Sequence, residues 1–143
     1  MLRSGGSPGA DTAFETGCDL AGGKKEIYLP WRCFNDSASP LFDTPCEAKR
    51  IATRYHPGLG RRSPKVQQLR ARNVCQVLGQ SLNAPSDLVI AWTEAGKASG
   101  GTATVLHIAE EYGIPAINLG SADYADAGYP AILKIVLSVM GER

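Results

Sequence analysis

Ser4-Gly5-Gly6-Ser7-Pro8-Gly9-Ala10-Asp11 decides how this chain is read. Before it stands the short segment Leu2-Arg3-Ser4, which reads as a strand; after it, Ala10, Ala13, Phe14, Gly17, Cys18 and Ala21 recur at the three-and-four spacing of one helix face. The glycines permit the positive φ angles and close backbone approach that a tight strand-to-helix turn requires. A helix begun at such a turn aims unpaired amides, and the positive end of its dipole, above the sheet edge, where they favour an anion. Asp11 has two readings: it caps the helix, or it binds a ribose hydroxyl.

The arrangement occurs a second time. Asp87-Leu-Val-Ile-Ala-Trp92 is apolar at nearly every position, as in a parallel strand covered on both faces. It runs through Thr93, Lys97 and Ser99 to Gly100-Gly101-Thr102, where a further helix begins and continues to Tyr112, before Gly113. Glu26-Ile-Tyr-Leu-Pro30 and Pro115-Ala-Ile-Asn-Leu119 complete four strand-like segments, with further helices over Pro64 to Leu78 and Pro130 to Met140. Strands alternating with helices predict right-handed βαβ units, hence an α/β domain with a mainly parallel sheet of about four to five strands between helical layers. In such a sheet both glycine turns face one crevice, which is where open α/β folds hold ligands.

Several elements carry finer expectations. On a helical wheel of Pro64 to Leu78, Val66, Leu69, Val74, Val77 and Leu78 share one arc; Asn73 falls inside it and Arg72 outside. A buried Asn73 amide needs partners, either loop carbonyls or a ligand. The last helix is apolar nearly all round, interrupted by Lys134 and Ser138, and is expected to pack against more than one surface, such as the sheet and a second subunit. Residues 31–63 break the alternation as a long irregular surface excursion with one short helix, Pro45 to Arg54.

The chain has 143 residues, 43% hydrophobic and 20% charged, with a net charge of +1, which describes one globular domain over 1–143 and excludes collagen, disorder and coiled coil. No apolar run reaches membrane-span length and the first residues hold no signal-peptide core, so a cytoplasmic location is expected. Cys18, Cys33, Cys46 and Cys75 contain no C-x-x-C pair, and the only histidines are His56 and His107; reduced, mostly buried thiols are the default and no metal is assigned. From Lys49 to Arg72 eight basic residues occur without an acid, either a solvated helical face or a surface facing phosphates. The phosphate loop G-x-x-x-x-G-K-[S/T] and the dinucleotide fingerprint G-x-G-x-x-G are both absent.

Taken together, Arg3-Ser-Gly-Gly-x-x-Gly-Ala-Asp-x-Ala-Phe-Glu15, Lys25-Glu-Ile-Tyr-Leu-Pro-Trp31, Ala71-Arg-Asn-Val74, Asp87-Leu-Val-Ile-Ala-Trp-Thr93 and Lys97-Ala-Ser-Gly-Gly-Thr102 resemble the SLOG superfamily of Rossmann-like proteins. That superfamily includes the DNA-processing protein A (DprA) group and the LOG phosphoribohydrolases; the likeness is to its small bacterial and phage branch and covers about residues 2 to 120. It implies a Rossmann-like three-layer α/β/α fold, a nucleotide or nucleotide-derived ligand and a homodimer or higher homo-oligomer. Position by position, Gly5, Gly6, Gly9 and Asp11 match the first motif, Arg72 and Asn73 the second, and Ser99, Gly100, Gly101 and Thr102 the last; Ser4, Thr93 and Lys97 in the same stretches complete the expected ligand-binding set. Arg72 and Lys97 are the expected counter-charges for phosphate. Two departures stand out. Where LOG hydrolases carry a catalytic glutamate this chain has Val105, which leaves Glu15 and Asp11 as the acids an enzyme would use. The family's first strand and helix also have no counterpart, which implies a shortened chain or a neighbouring subunit over the exposed sheet edge.

The leading expectation is therefore a nucleotide-binding sensor, carrier or sequestering protein with no certain cofactor. A DprA-like single-stranded DNA-binding protein using Lys49 to Arg72, with Trp31, Phe34 and Tyr55 stacking on bases, is the alternative. A nucleoside monophosphate phosphoribohydrolase comes third.

Overall fold

The computed structural model describes residues 1–141, a mixed α/β chain. The first unit runs from β1 (Leu2–Ser4) through α1 (Ala10–Leu20) to β2 (Lys25–Ile27). The excursion contributes α2 (Cys46–Tyr55) and two single 3-10 turns, and α3 (Pro64–Leu78) leads back. The second unit is β3 (Val89–Ala91), α4 (Gly100–Glu111) and β4 (Ala116–Asn118), followed by α5 (Tyr129–Gly141). The helix starts follow local chemistry. Pro64 occupies the first turn of α3, where its missing N–H is no loss, and Ser63 accepts from the Val66 amide at 3.4 Å as the cap. Gly79, at φ 77°, ends the helix.

Among the described residues the strands are four, in two parallel pairs, β1 with β2 and β3 with β4. The continuous sheet of four to five strands expected above is thus two half-sheets. Each half-sheet is a complete βαβ unit with its own crossover helix, α1 against β1 and α4 against β3. Three-residue strands cannot by themselves bury a sheet face, so helix packing dominates the core. α3 packs against both α2 and α4, burying Val74, Cys75, Val77 and Leu78 with Ile51, Ala52, Ile108 and Ala109.

Three expectations change here. The excursion is no mere surface cover: Ala48, Ile51, Ala52 and Leu59 are core residues, because the apolar side of α2 docks on α3. Arg72 lies outside the apolar arc of the wheel yet is only 3% exposed, since the arc records what packs against apolar neighbours and the opposite side of α3 is covered by the first glycine turn. And α5, expected to pack on more than one surface, buries none of its residues; Leu133, Leu137 and Met140 stay exposed. Of the thiols Cys75 alone is buried, which pushes it up to about 11, while Cys33 and Cys46 are exposed. Among the described residues no helix is long and apolar enough to cross a membrane, and no group of three or more His, Cys, Asp and Glu is placed to hold a metal.

Candidate functional site

Two consecutive residues of α3 hold the two glycine turns. Arg72 donates through Nη1 to the carbonyl of Gly5 and, at 3.3 Å, to that of Tyr28; its Nη2 donates to Ser7 Oγ at 3.1 Å. Asn73 donates through Nδ2 to the carbonyl of Gly101 at 3.1 Å. Asn73 therefore finds a backbone-carbonyl partner, in the first turn of α4, as a buried amide requires. Between the turns lies a cavity of about 550 Å³. Its walls include Ser7 to Asp11 at the start of α1, Gly101, Thr102 and Val105 of α4, Arg70, Arg72, Asn73 and Gln76 of α3, and Ile90 to Trp92 at and just after the end of β3.

The first turn is closed on itself. Gly5 is required because a Cβ there would fall on the Arg72 guanidinium, and Gly6, at φ 66°, sits against Leu29. Asp11 accepts from the Ser7 amide at 3.1 Å and lies 3.8 Å from Arg72 Nη1, so it ties the turn together rather than capping α1, whose N-cap Gly9 has no side-chain hydrogen bond. Ser4 is buried and donates to the Asp11 carbonyl at 3.3 Å. Phe34 of the excursion covers Arg72, ring centroid 5.7 Å from Cζ, and Asn35 donates to the Gly6 carbonyl at 3.0 Å. Of this turn Ser7, Gly9 and Asp11 reach the cavity, whereas Gly5 and Gly6 stand behind it.

The second turn is held from outside. Thr93 is buried, its amide bonded to Asn118 Oδ1 at 3.1 Å and its hydroxyl accepting from Asn118 Nδ2 at 2.6 Å, so it fixes the loop and leaves the cavity wall to others. Gly120 belongs to the same knot, with its amide donating to Asn118 Oδ1 at 3.1 Å. Lys97, Ser99 and Gly100 are exposed and do not line the cavity, while Gly101 and Thr102 do. A Cβ on Gly101 would meet Asn73 Nδ2 at 2.7 Å and Arg70 Nη1 at 3.3 Å.

Arg70 and Trp92 were not singled out as site residues from the sequence. Arg70 stands two positions before Arg72 in the basic run, and its Nη1 is buried without a hydrogen-bond partner among the described residues. Burial, and then Arg62, lower its pKa from the ordinary value, and its charge in turn helps to lower His56, whose burial is the larger cause. Trp92 ends β3 at the cavity wall and is 58% exposed, unusual for so large an apolar ring. The signal for both was position: one faces the turn that follows β3, the other stands at the carboxyl end of a parallel strand.

The remaining basic run divides among several settings. Arg72 is buried, Arg50 pairs with Glu47 at 3.1 Å, Arg54 with Glu111 at 3.5 Å, and Lys65 stands 5.7 Å from the Trp31 ring. Tyr55 donates its hydroxyl to Glu111, and Trp31 packs edge-on against Phe34. Glu15 is bound to Lys25 at 2.8 Å, outside the cavity, and Lys25 is pushed up to about 12 by Asp19 and Glu15 together. Among the described residues Asp11 is the one carboxylate of the cavity wall, and it is already engaged. The arrangement offers amide dipoles, the guanidinium groups of Arg70 and Arg72, hydroxyls and an aromatic face. Groups of these kinds are the ones that suit an anion joined to a planar group. No family model, curated protein or solved structure matches the chain, so the site is read from its own geometry.

Proposed function

We propose that the protein binds a nucleotide or nucleotide-derived phosphorylated ligand in the cavity between the starts of α1 and α4. The observation that carries this reading is Arg70: it lines a cavity shared by both helix starts, and its buried Nη1 has no hydrogen-bond partner among the described residues. An unpaired buried donor is a standing cost of about 1–3 kcal/mol, more for a charged group, which an anion would remove. The phosphate would sit against the amides of α4 beside Gly101 and Thr102, within reach of Arg70; the base would lie on Trp92. A Rossmann-like three-layer arrangement, in which the two half-sheets belong to one doubly wound sheet, is the architecture we infer. The exposed apolar face of α5 suits the homo-oligomer that the resemblance implies.

Binding is favoured over hydrolysis of a glycosidic bond because that chemistry needs an acid at the leaving group, and Asp11 is occupied by Ser7 and Arg72. Sensor, carrier and sequestering roles all follow from such a site. The test is thermal unfolding of the protein against a panel of nucleoside mono-, di- and triphosphates, cyclic nucleotides and ADP-ribose. A true ligand at about one hundred times its Kd adds roughly 2.7 kcal/mol and raises Tm by several degrees. A panel without any shift removes the proposal.

A further inference from the structure

Arg70 belongs to a cluster of basic groups that extends beyond the cavity, drawn from separate segments around the first turns of α4. His56, just after α2, shares a hydrogen bond with the Thr104 hydroxyl of α4 at 2.7 Å. Arg70 reaches the same helix from α3, its Nη1 3.3 Å from where a Cβ on Gly101 would stand. Arg62 is brought beside them by the 3-10 turn Leu59–Arg61. Buried Leu59 anchors that turn, its amide donating to the His56 carbonyl at 2.8 Å. From α3, Gln67 Nε2 donates to the Gly60 carbonyl at 3.3 Å and to the Arg62 carbonyl at 2.7 Å. Gln67 and Arg70 stand three positions apart, hence side by side on the helix surface. Arg62 is exposed, and its side chain has no hydrogen bond or ion pair among the described residues.

No carboxylate offsets this cluster. After burial, the charge acting on Arg70 is that of Arg62, and those acting on His56 are Arg70 and His107. Other cations of the same basic run are paired, Arg50 with Glu47 and Arg54 with Glu111. Like charges held together repel, and a cleft lined by one sign of charge concentrates the opposite one. A single phosphate on the amides of α4 would answer Arg70 and leave Arg62 unanswered. We infer that the ligand carries at least two linked phosphates, the inner one on the amides of α4 and Arg70, the outer one on Arg62. The site then takes nucleoside diphosphates or longer phosphate chains in preference to monophosphates and cyclic nucleotides. This ligand class rests on the reading of the cavity as a phosphate site and adds to it the number of phosphates.

The experiment measures, by calorimetry at fixed ionic strength, the affinity of the whole chain for AMP and ADP, GMP and GDP, and inorganic phosphate and pyrophosphate. The diphosphate of each pair that binds is expected to be tighter than its monophosphate by about tenfold or more, the yield of one charge-assisted hydrogen bond. Arg62→Gln is expected to remove that advantage and to leave monophosphate binding within about twofold. Lys65→Gln, which takes the same charge from an exposed position against Trp31, is expected to keep it. The inference is overturned by diphosphates no tighter than monophosphates, or by an advantage that survives Arg62→Gln. An advantage that Lys65→Gln removes as well overturns it too, since that means general attraction to the basic run. Pyrophosphate bound through Arg62 with no nucleotide bound would remove the nucleotide reading and keep the second phosphate. Mono- and diphosphates of one nucleoside bound equally would do the reverse, and no binding by any of these probes removes both.

Discussion

The two glycine turns look alike in sequence and behave differently in the fold. At the first, Gly5 makes room for the chain's own Arg72, whose Nη1 and Nη2 donate to Gly5, Tyr28 and Ser7 while its Nε is buried without a hydrogen-bond partner among the described residues. At the second, Gly101 leaves space beside Arg70, whose Nη1 has no hydrogen-bond partner among the described residues. The same residue type thus closes one turn around an internal cation and leaves the other open beside a second cation. Arg72 and Arg70 lie two positions apart on α3, so opposite roles follow from which turn each meets. A positive charge in a cavity is therefore informative only after its hydrogen bonds are counted.

Variants that break this contrast are ordered by expected size. Arg72→Ala strips the buried Gly5 and Tyr28 carbonyls of their donor and Asp11 of its countercharge, and is expected to cost about 3 kcal/mol or more in denaturant unfolding. A loss below about 1 kcal/mol would mean that the first turn does not depend on Arg72. Arg70→Ala removes the unpaired Nη1 donor, so it is expected to raise stability by about 1 kcal/mol or more while weakening the ligand found in the thermal panel by roughly 10–100-fold, read by calorimetry. Equal effects of the two variants on stability would erase the distinction between the turns.

Gly101→Ala sharpens the comparison. Asn73 Nδ2 must yield, at about 1 kcal/mol, while the methyl group intrudes beside Arg70. Ligand affinity is expected to fall more than stability does. The smallest effect is electrostatic. Burial first, then Arg70 and His107, hold His56 below its ordinary value. With its folded pKa depressed, the contribution of His56 to stability is complete above the unfolded value and is lost as pH falls through the folded one. An anion seated at Arg70 offsets that positive charge and is expected to raise the His56 pKa, measured by NMR titration with and without ligand. An unchanged titration would seat the anion elsewhere.

Much of the element order could be read directly. Pro64 and Gly79 mark the limits of α3, and Val74, Val77 and Leu78 are its core face as their spacing requires. The glycines at 5, 6, 100 and 101 announce two strand-to-helix turns, and those turns stand where β1 meets α1 and β3 approaches α4. The excursion was harder. Its prolines and small polar residues hide the docking of α2, because four core positions spread over Ala48 to Leu59 are too few for a clear period.

Local chemistry thus determined where helices begin and end and which residues can bear a positive φ, since those properties depend on each residue and its near neighbours. Whether the four strands join, whether Arg70 or Lys97 reaches the cavity, and that Arg72 is enclosed rather than presented depended on segments distant in the chain meeting in space. Hydrogen-bond partners as far apart as Gly5 and Arg72, or Asn73 and Gly101, are set by packing, and only the tertiary structure decides which polar groups are left unpaired.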